Sequence, residues 1–132
     1  MARSLIRFIS ILLFTSKAYA LTCEVGKIRS TTDYVDTVIT GEYCYNSDFN
    51  QLYSKSCENK KCTAFQSKEV FTIQELNTKG IGTPGFKLCR LLNGKPEIVD
   101  FWAQGEWQPL DRCNFDDGYV DTGSLYKYYL NP

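Results

Sequence analysis

The sequence predicts a small, disulfide-stapled α+β protein in which an N-terminal β meander is followed by a helix/β-ribbon/helix unit. Three observations predict it. Six cysteines and no histidine stand in a chain of 132 residues, and an even count in an exported chain of this size reads as three disulfides. Residues 21–66 are rich in valine, isoleucine, threonine and tyrosine between turn clusters, which is the composition of strands. Finally, Thr83-Pro84 opens and Asn93-Gly94 closes a segment with apolar residues at helical spacing.

The first 20 residues read as a leader. Arg3 and Arg7 precede or enter the apolar run 5–14, and Ala18-Tyr19-Ala20 is a small-x-small cleavage site. This is the pattern of a secretory signal peptide over residues 1–20, removed after Ala20. The run is shorter than the roughly 20 residues a membrane span needs, and no later segment approaches that length, so no stable membrane insertion is expected. A lipoprotein is not expected either: Thr22, not a small residue of the required kind, precedes Cys23, and lipidating Cys23 would leave an odd number of cysteines. Loss of Arg3, Arg7 and Lys17 changes 15 basic and 15 acidic residues into 12 against 15, net −3. That balance lacks the basic face that nucleic acid or an anionic membrane would require. The partner expected is an extracytoplasmic protein or glycan.

Residues 21–78 form the expected β-rich unit, with strands over 24–28, 35–45 and 51–56, a loop at 31–34 and a turn at Asn46-Ser47-Asp48. An antiparallel meander has one wet face, whose rim suits Tyr34, Tyr43, Tyr45 and Tyr53. Pairing the first two strands around the loop puts Cys23 opposite Cys44. Cys57 and Cys62 then close a short polar loop. Residues 67–77 read as a helix with Val70, Ile73 and Leu76 on one side, or nearly as well as a strand. Residues 79–82, with Gly80 and Gly82, mark the boundary between units.

The second unit, 83–132, starts with a helix capped by Thr83 that places Phe86, Leu88, Cys89 and Leu92 on one face. Strand formers fill 97–102, a turn at 103–106 contains Gly105, and a second strand begins near Trp107. Strand-like 112–115, the tight turn Asp116-Asp117-Gly118 and 119–121 follow. Residues 124–130 close the chain as a short helix or extended tail, capped from Asp121 or Thr122. Cys89 and Cys113 are the natural staple between helix and ribbon, worth about 3–4 kcal/mol on the chain-entropy model.

Thr83-Pro84-Gly85, Cys89, Asn93-Gly94, Cys113-Asn114-Phe115-Asp116-Asp117-Gly118 and Ser124-Leu125 follow one another in an order that resembles a small family of exported bacterial domains often labelled hemolysin. The resemblance covers residues 83–130 and implies a fold and an exported setting rather than a mechanism. Thr83 stands where that family has asparagine, Tyr119 where it has serine or threonine, and a further cysteine after Asp-Gly is absent.

The absence of histidine removes the Ser/His and Cys/His nucleophile pairs and the commonest metal ligand. Asp116 and Asp117 are adjacent, with Asp111 and Asp121 near, but neighbours on a turn do not point at one substrate atom and read as turn formers. Asn114, Asp116, Gly118 and Asp121 lack calcium-loop spacing, Cys57 and Cys62 lack zinc-ribbon spacing, and Gly80, Gly82 and Gly85 lack a nucleotide-loop context. No catalytic residue, metal or cofactor is expected. The function expected is a non-enzymatic binding or inhibitor-like module. Trp102 and Trp107, flanking the 103–106 turn, are the first contact candidates, with Asp116, Asp117 and Tyr119 beside them; the two tryptophans read equally well as core over the Cys89 bridge. A secreted hydrolase using acidic residues and a membrane-active toxin are the alternatives.

Overall fold

The structure, a computed structural model, describes residues 21–32, 34–77 and 82–130. β1 (Thr22–Thr32) and β2 (Val35–Tyr45) make a long hairpin with Cys23 opposite Cys44 and Ile28 opposite Ile39. A short β3 (Leu52–Ser54) pairs with the end of β2. Two 3-10 turns, Lys55–Lys60 and Thr63–Phe65, lead to a single helical turn, α1 (Ile73–Leu76). In α2 (Pro84–Leu91) the Thr83 hydroxyl accepts from the Phe86 N–H, the cap its position calls for. β4 (Lys95–Ala103) and β5 (Glu106–Phe115) form the second hairpin. Its two-residue loop, Gln104-Gly105, has φ of 54° and 79°, the left-handed pair that matches strand twist. β6 (Gly118–Asp121) folds back on β5, and α3 (Thr122–Leu130) follows it directly.

The expected α+β class is corrected here, because the fold is mainly β. Residues 28–30 of β1 run antiparallel to 99–101 of β4, and Tyr53 of β3 pairs with Val120 of β6. These pairings close a six-stranded barrel in the order β1-β2-β3-β6-β5-β4. A free meander beside a free ribbon would leave strand edges with unpaired backbone groups, and closure pairs them. Strands before and after the expected boundary at 79–82 therefore share one sheet. That boundary, except Gly82, and the expected leader at 1–20 lie outside the described residues.

Alternation along the strands divides the side chains between two cores. The barrel interior holds Ile28, Tyr43, Tyr45, Leu52, Val99, Phe101 and Ala103. Tyr43 and Tyr45 do not lie at the rim of a wet face as expected; they are 0% and 1% exposed, because closure turns that face of β2 inward. The Tyr43 ring crosses Gly26, where any Cβ would come within 2.0 Å of the phenolic oxygen, and its hydroxyl donates to the Trp102 carbonyl. At the other end of the interior, buried Arg112 donates to Glu97 at 3.1 Å and stacks on Tyr119 at 4.6 Å. This pairing offsets part of the cost of removing the guanidinium from water.

The second core lies outside the barrel. Cys113 and Val120, outward on β5 and β6, are covered by Leu76, Leu88, Cys89, Leu92 and Leu125 from the three helices. Asp121 ties this layer down: its carboxylate accepts from the Leu52 N–H at 2.9 Å, the Ser124 N–H at 2.7 Å and the Ser124 hydroxyl at 2.8 Å. It thus caps α3 and holds β3 with one group. Burial pushes its carboxyl above the ordinary range, against the pull of those hydrogen bonds. Disulfides join Cys23 to Cys44, Cys57 to Cys62 and Cys89 to Cys113, the pairs that the sequence spacing suggested. No cysteine is free, which indicates an oxidising, extracytoplasmic environment. Among the described residues no helix is long and apolar enough to cross a membrane.

Candidate functional site: the open wall of the barrel

Away from the helices, the outer face of β1 and β4, with the adjoining parts of β2 and β5, forms an open wall. Val25, Val38 and Ile98 on it are 66%, 53% and 70% exposed, high values for residues of this size on a sheet. Register sets its rows. Trp102 is opposite Trp107 across the second hairpin, and Arg29 has Val38 on one side and Asp100 on the other.

The two tryptophan rings meet edge to face with centroids 5.2 Å apart, a favoured aromatic geometry. β1 lays two cations over them: the Lys27 ammonium is 5.3 Å from the Trp102 ring and the Arg29 guanidinium 4.4 Å from the Trp107 ring. Arg29 also donates to Asp100 through Nε at 3.2 Å and Nη2 at 2.9 Å. This carboxylate fixes the guanidinium plane on the indole. Such cation–π contacts are worth about 0.5–1 kcal/mol at exposed sites. The rings are half-buried, and neither belongs to either core. What shields them is a layer of cations rather than the protein interior, so a partner can replace that shielding with small rearrangements.

The other contact candidates are elsewhere. Asp117 accepts from the Thr63 N–H and hydroxyl, both at 2.9 Å, and these bonds hold its carboxyl below the ordinary range. It fastens the second 3-10 turn to the β5–β6 turn. Asp116 is exposed and borders a shallow hollow with Asn93, Lys95 and Asn114. Tyr119 packs against the barrel interior, and burial pushes its phenol up to about 12. The structure therefore unites Trp102 with Trp107 and separates both from Asp116, Asp117 and Tyr119. Sequence reasoning missed Lys27, Arg29 and Asp100. The signal available was the period-two run Val25, Lys27, Arg29 around inward Ile28, which marks one face of a strand but not what lies across it.

Among the described residues no three His, Cys, Asp or Glu side chains are placed to hold a metal ion. Compared with known protein families, curated proteins and solved structures, the chain matches none.

Proposed function

We propose that this chain is an exported, non-enzymatic binding module that recognises an extracytoplasmic protein through the open wall. The observation that carries the reading is the Trp102–Trp107 pair, held outward and ordered by Lys27 and Arg29, on a wall that also exposes Val25, Val38 and Ile98. Tryptophan and arginine are among the residue types most enriched at hot spots. A disulfide-stapled, closed barrel also loses little conformational entropy when such a patch is covered. Removal of a signal peptide after Ala20 would deliver the chain to the compartment its disulfides require. The resemblance of residues 83–130 to exported domains agrees with that setting.

A photo-crosslinking side chain at Val38, used on the exported fraction of the native host, tests this reading. The expected result is one saturable cross-linked species, competed away by unlabelled wild type but not by a Trp107→Ala variant that still unfolds in one cooperative transition. Equal competition by that variant, or its unfolding, would overturn the reading.

A further inference from the structure

A second opening lies on the covered side, where the 3-10 turns and α3 meet β3. It is a groove of about 820 Å³ lined by Tyr53, Phe65 and Tyr128, with Asn59, Lys60 and Lys127 at its sides. This volume lies within the range of small-ligand sites. Its walls are tied together by the Tyr129 hydroxyl, which donates to the Ala64 carbonyl at 2.6 Å, and by Phe65 meeting Tyr128 edge to face at 5.0 Å.

Two features set its chemistry. Both charged side chains lining the groove are lysines; Glu58 does not line it but pairs with Lys55 at 3.7 Å, and after burial its charge adds to the upward push on the Tyr53 phenol at the groove wall. The Lys60 ammonium stands 5.0 Å over the Tyr128 ring. The second feature is in the backbone. Asn59 and Lys60 are consecutive left-handed residues, with φ of 57° and 59°, inside the loop closed by the Cys57–Cys62 bridge. Left-handed backbone at a non-glycine residue such as lysine is unfavourable, by about 1–2 kcal/mol, and strain of this kind gathers at ligand clamps. The bridged loop thus places Lys60 over the Tyr128 ring and Asn59 in the groove lining.

We propose that this groove binds a carboxylated oligosaccharide. Its lysines would take the carboxylates, the Gln51 and Asn59 amides and the Ser67 hydroxyl the ring hydroxyls, and the aromatic side chains of the lining the apolar faces of the sugar rings. An acidic peptide fits less well. The one strand bordering the groove, β3, is paired on both sides, by β2 and β6, so no sheet edge there is open for a peptide backbone to extend.

Titration calorimetry of the oxidised protein with oligogalacturonate, its fully methyl-esterified form and polyglutamate tests the inference. Lys60→Gly suits the left-handed backbone and removes the charge, and Lys127→Ala removes the second cation. Saturable, salt-sensitive binding of oligogalacturonate is expected, weakened at least about tenfold in each variant, as for loss of one charged hydrogen bond, and nearly absent for the ester. Equal binding of the ester, unchanged affinity in both lysine variants, no binding of oligogalacturonate, or tighter binding of polyglutamate would each overturn it. Trp107→Ala should leave this binding unchanged; its loss there would overturn the placement in the groove and leave the open-wall reading standing.

Discussion

On the covered wall the outward residues of β5 and β6 are Cys113 and Val120, small and apolar enough for α2 and α3 to close over them. On the open wall the outward residues of β1 and β4 are Lys27, Arg29, Asp100 and Trp102, and here the cations lie on the indoles with no helix above them. One barrel thus carries a wall whose outer layer is stability and a wall whose outer layer is available. The difference lies in which residues alternate outward, since both walls share the same interior. Removing side chains from the covered wall should therefore unfold the protein, whereas removing them from the open wall should cost recognition and little else.

The largest expected effect comes from cutting the covered wall's staple. Replacing Cys89 and Cys113 together by alanine should lower unfolding free energy by about 4 kcal/mol, from lost loop closure and buried contacts, as read by denaturant titration. Asp121→Ala should follow at about 2–3 kcal/mol. It leaves the buried Leu52 N–H and the half-buried Ser124 N–H without their acceptor and uncaps α3. A loss under about 1 kcal/mol in either case would break the comparison.

The shared interior supplies a pH test. Burial pushes the Tyr43 and Tyr119 phenols from an ordinary value of 10.0 up to about 12. A raised folded-state pKa contributes stability that is complete below pH 10 and lost as pH rises toward 12. Denaturant midpoints should therefore be flat up to pH 10 with respect to these groups and fall beyond it, while absorbance at 295 nm shows Tyr43 and Tyr119 among the phenols that titrate late, with Tyr45, Tyr53 and Tyr129 also shifted upward. Titration of every phenol near 10 would mean that the interior is wet. The smallest effect belongs to the open wall. Trp102→Ala and Trp107→Ala should each cost less than about 1.5 kcal/mol, the scale of one aromatic pair, and Arg29→Ala less than about 1 kcal/mol.

Local features of the fold were legible in the sequence because their causes are local. Thr83 with Pro84 marked the start of α2, Gly105 marked the hairpin turn, and the strand spacing brought Cys23 opposite Cys44. Closure was not legible, because it rests on contacts between distant segments. β1 meets β4 over three residue pairs and β3 meets β6 through one, and β3 has only three residues. Without those pairings the inward face of β2 reads as solvent-facing, which is why Tyr43 and Tyr45 were expected at a rim. The site was legible to the same depth. Trp102 and Trp107 follow from one hairpin, but Lys27 and Arg29 reach them only through β1–β4 pairing, and the groove joins Lys60 to Lys127 across 67 positions of chain.

The chain's two tryptophans are both on the open wall, so tryptophan fluorescence, excited beyond the tyrosine band, reports on that surface alone. Acrylamide quenching of the native, oxidised protein compared with the unfolded chain is the most direct test of an available wall. The account predicts that both indoles are quenched in the native state at a rate of the same order as in the unfolded chain. Emission that stays unquenched until the protein unfolds would place the tryptophans in a core and contradict it.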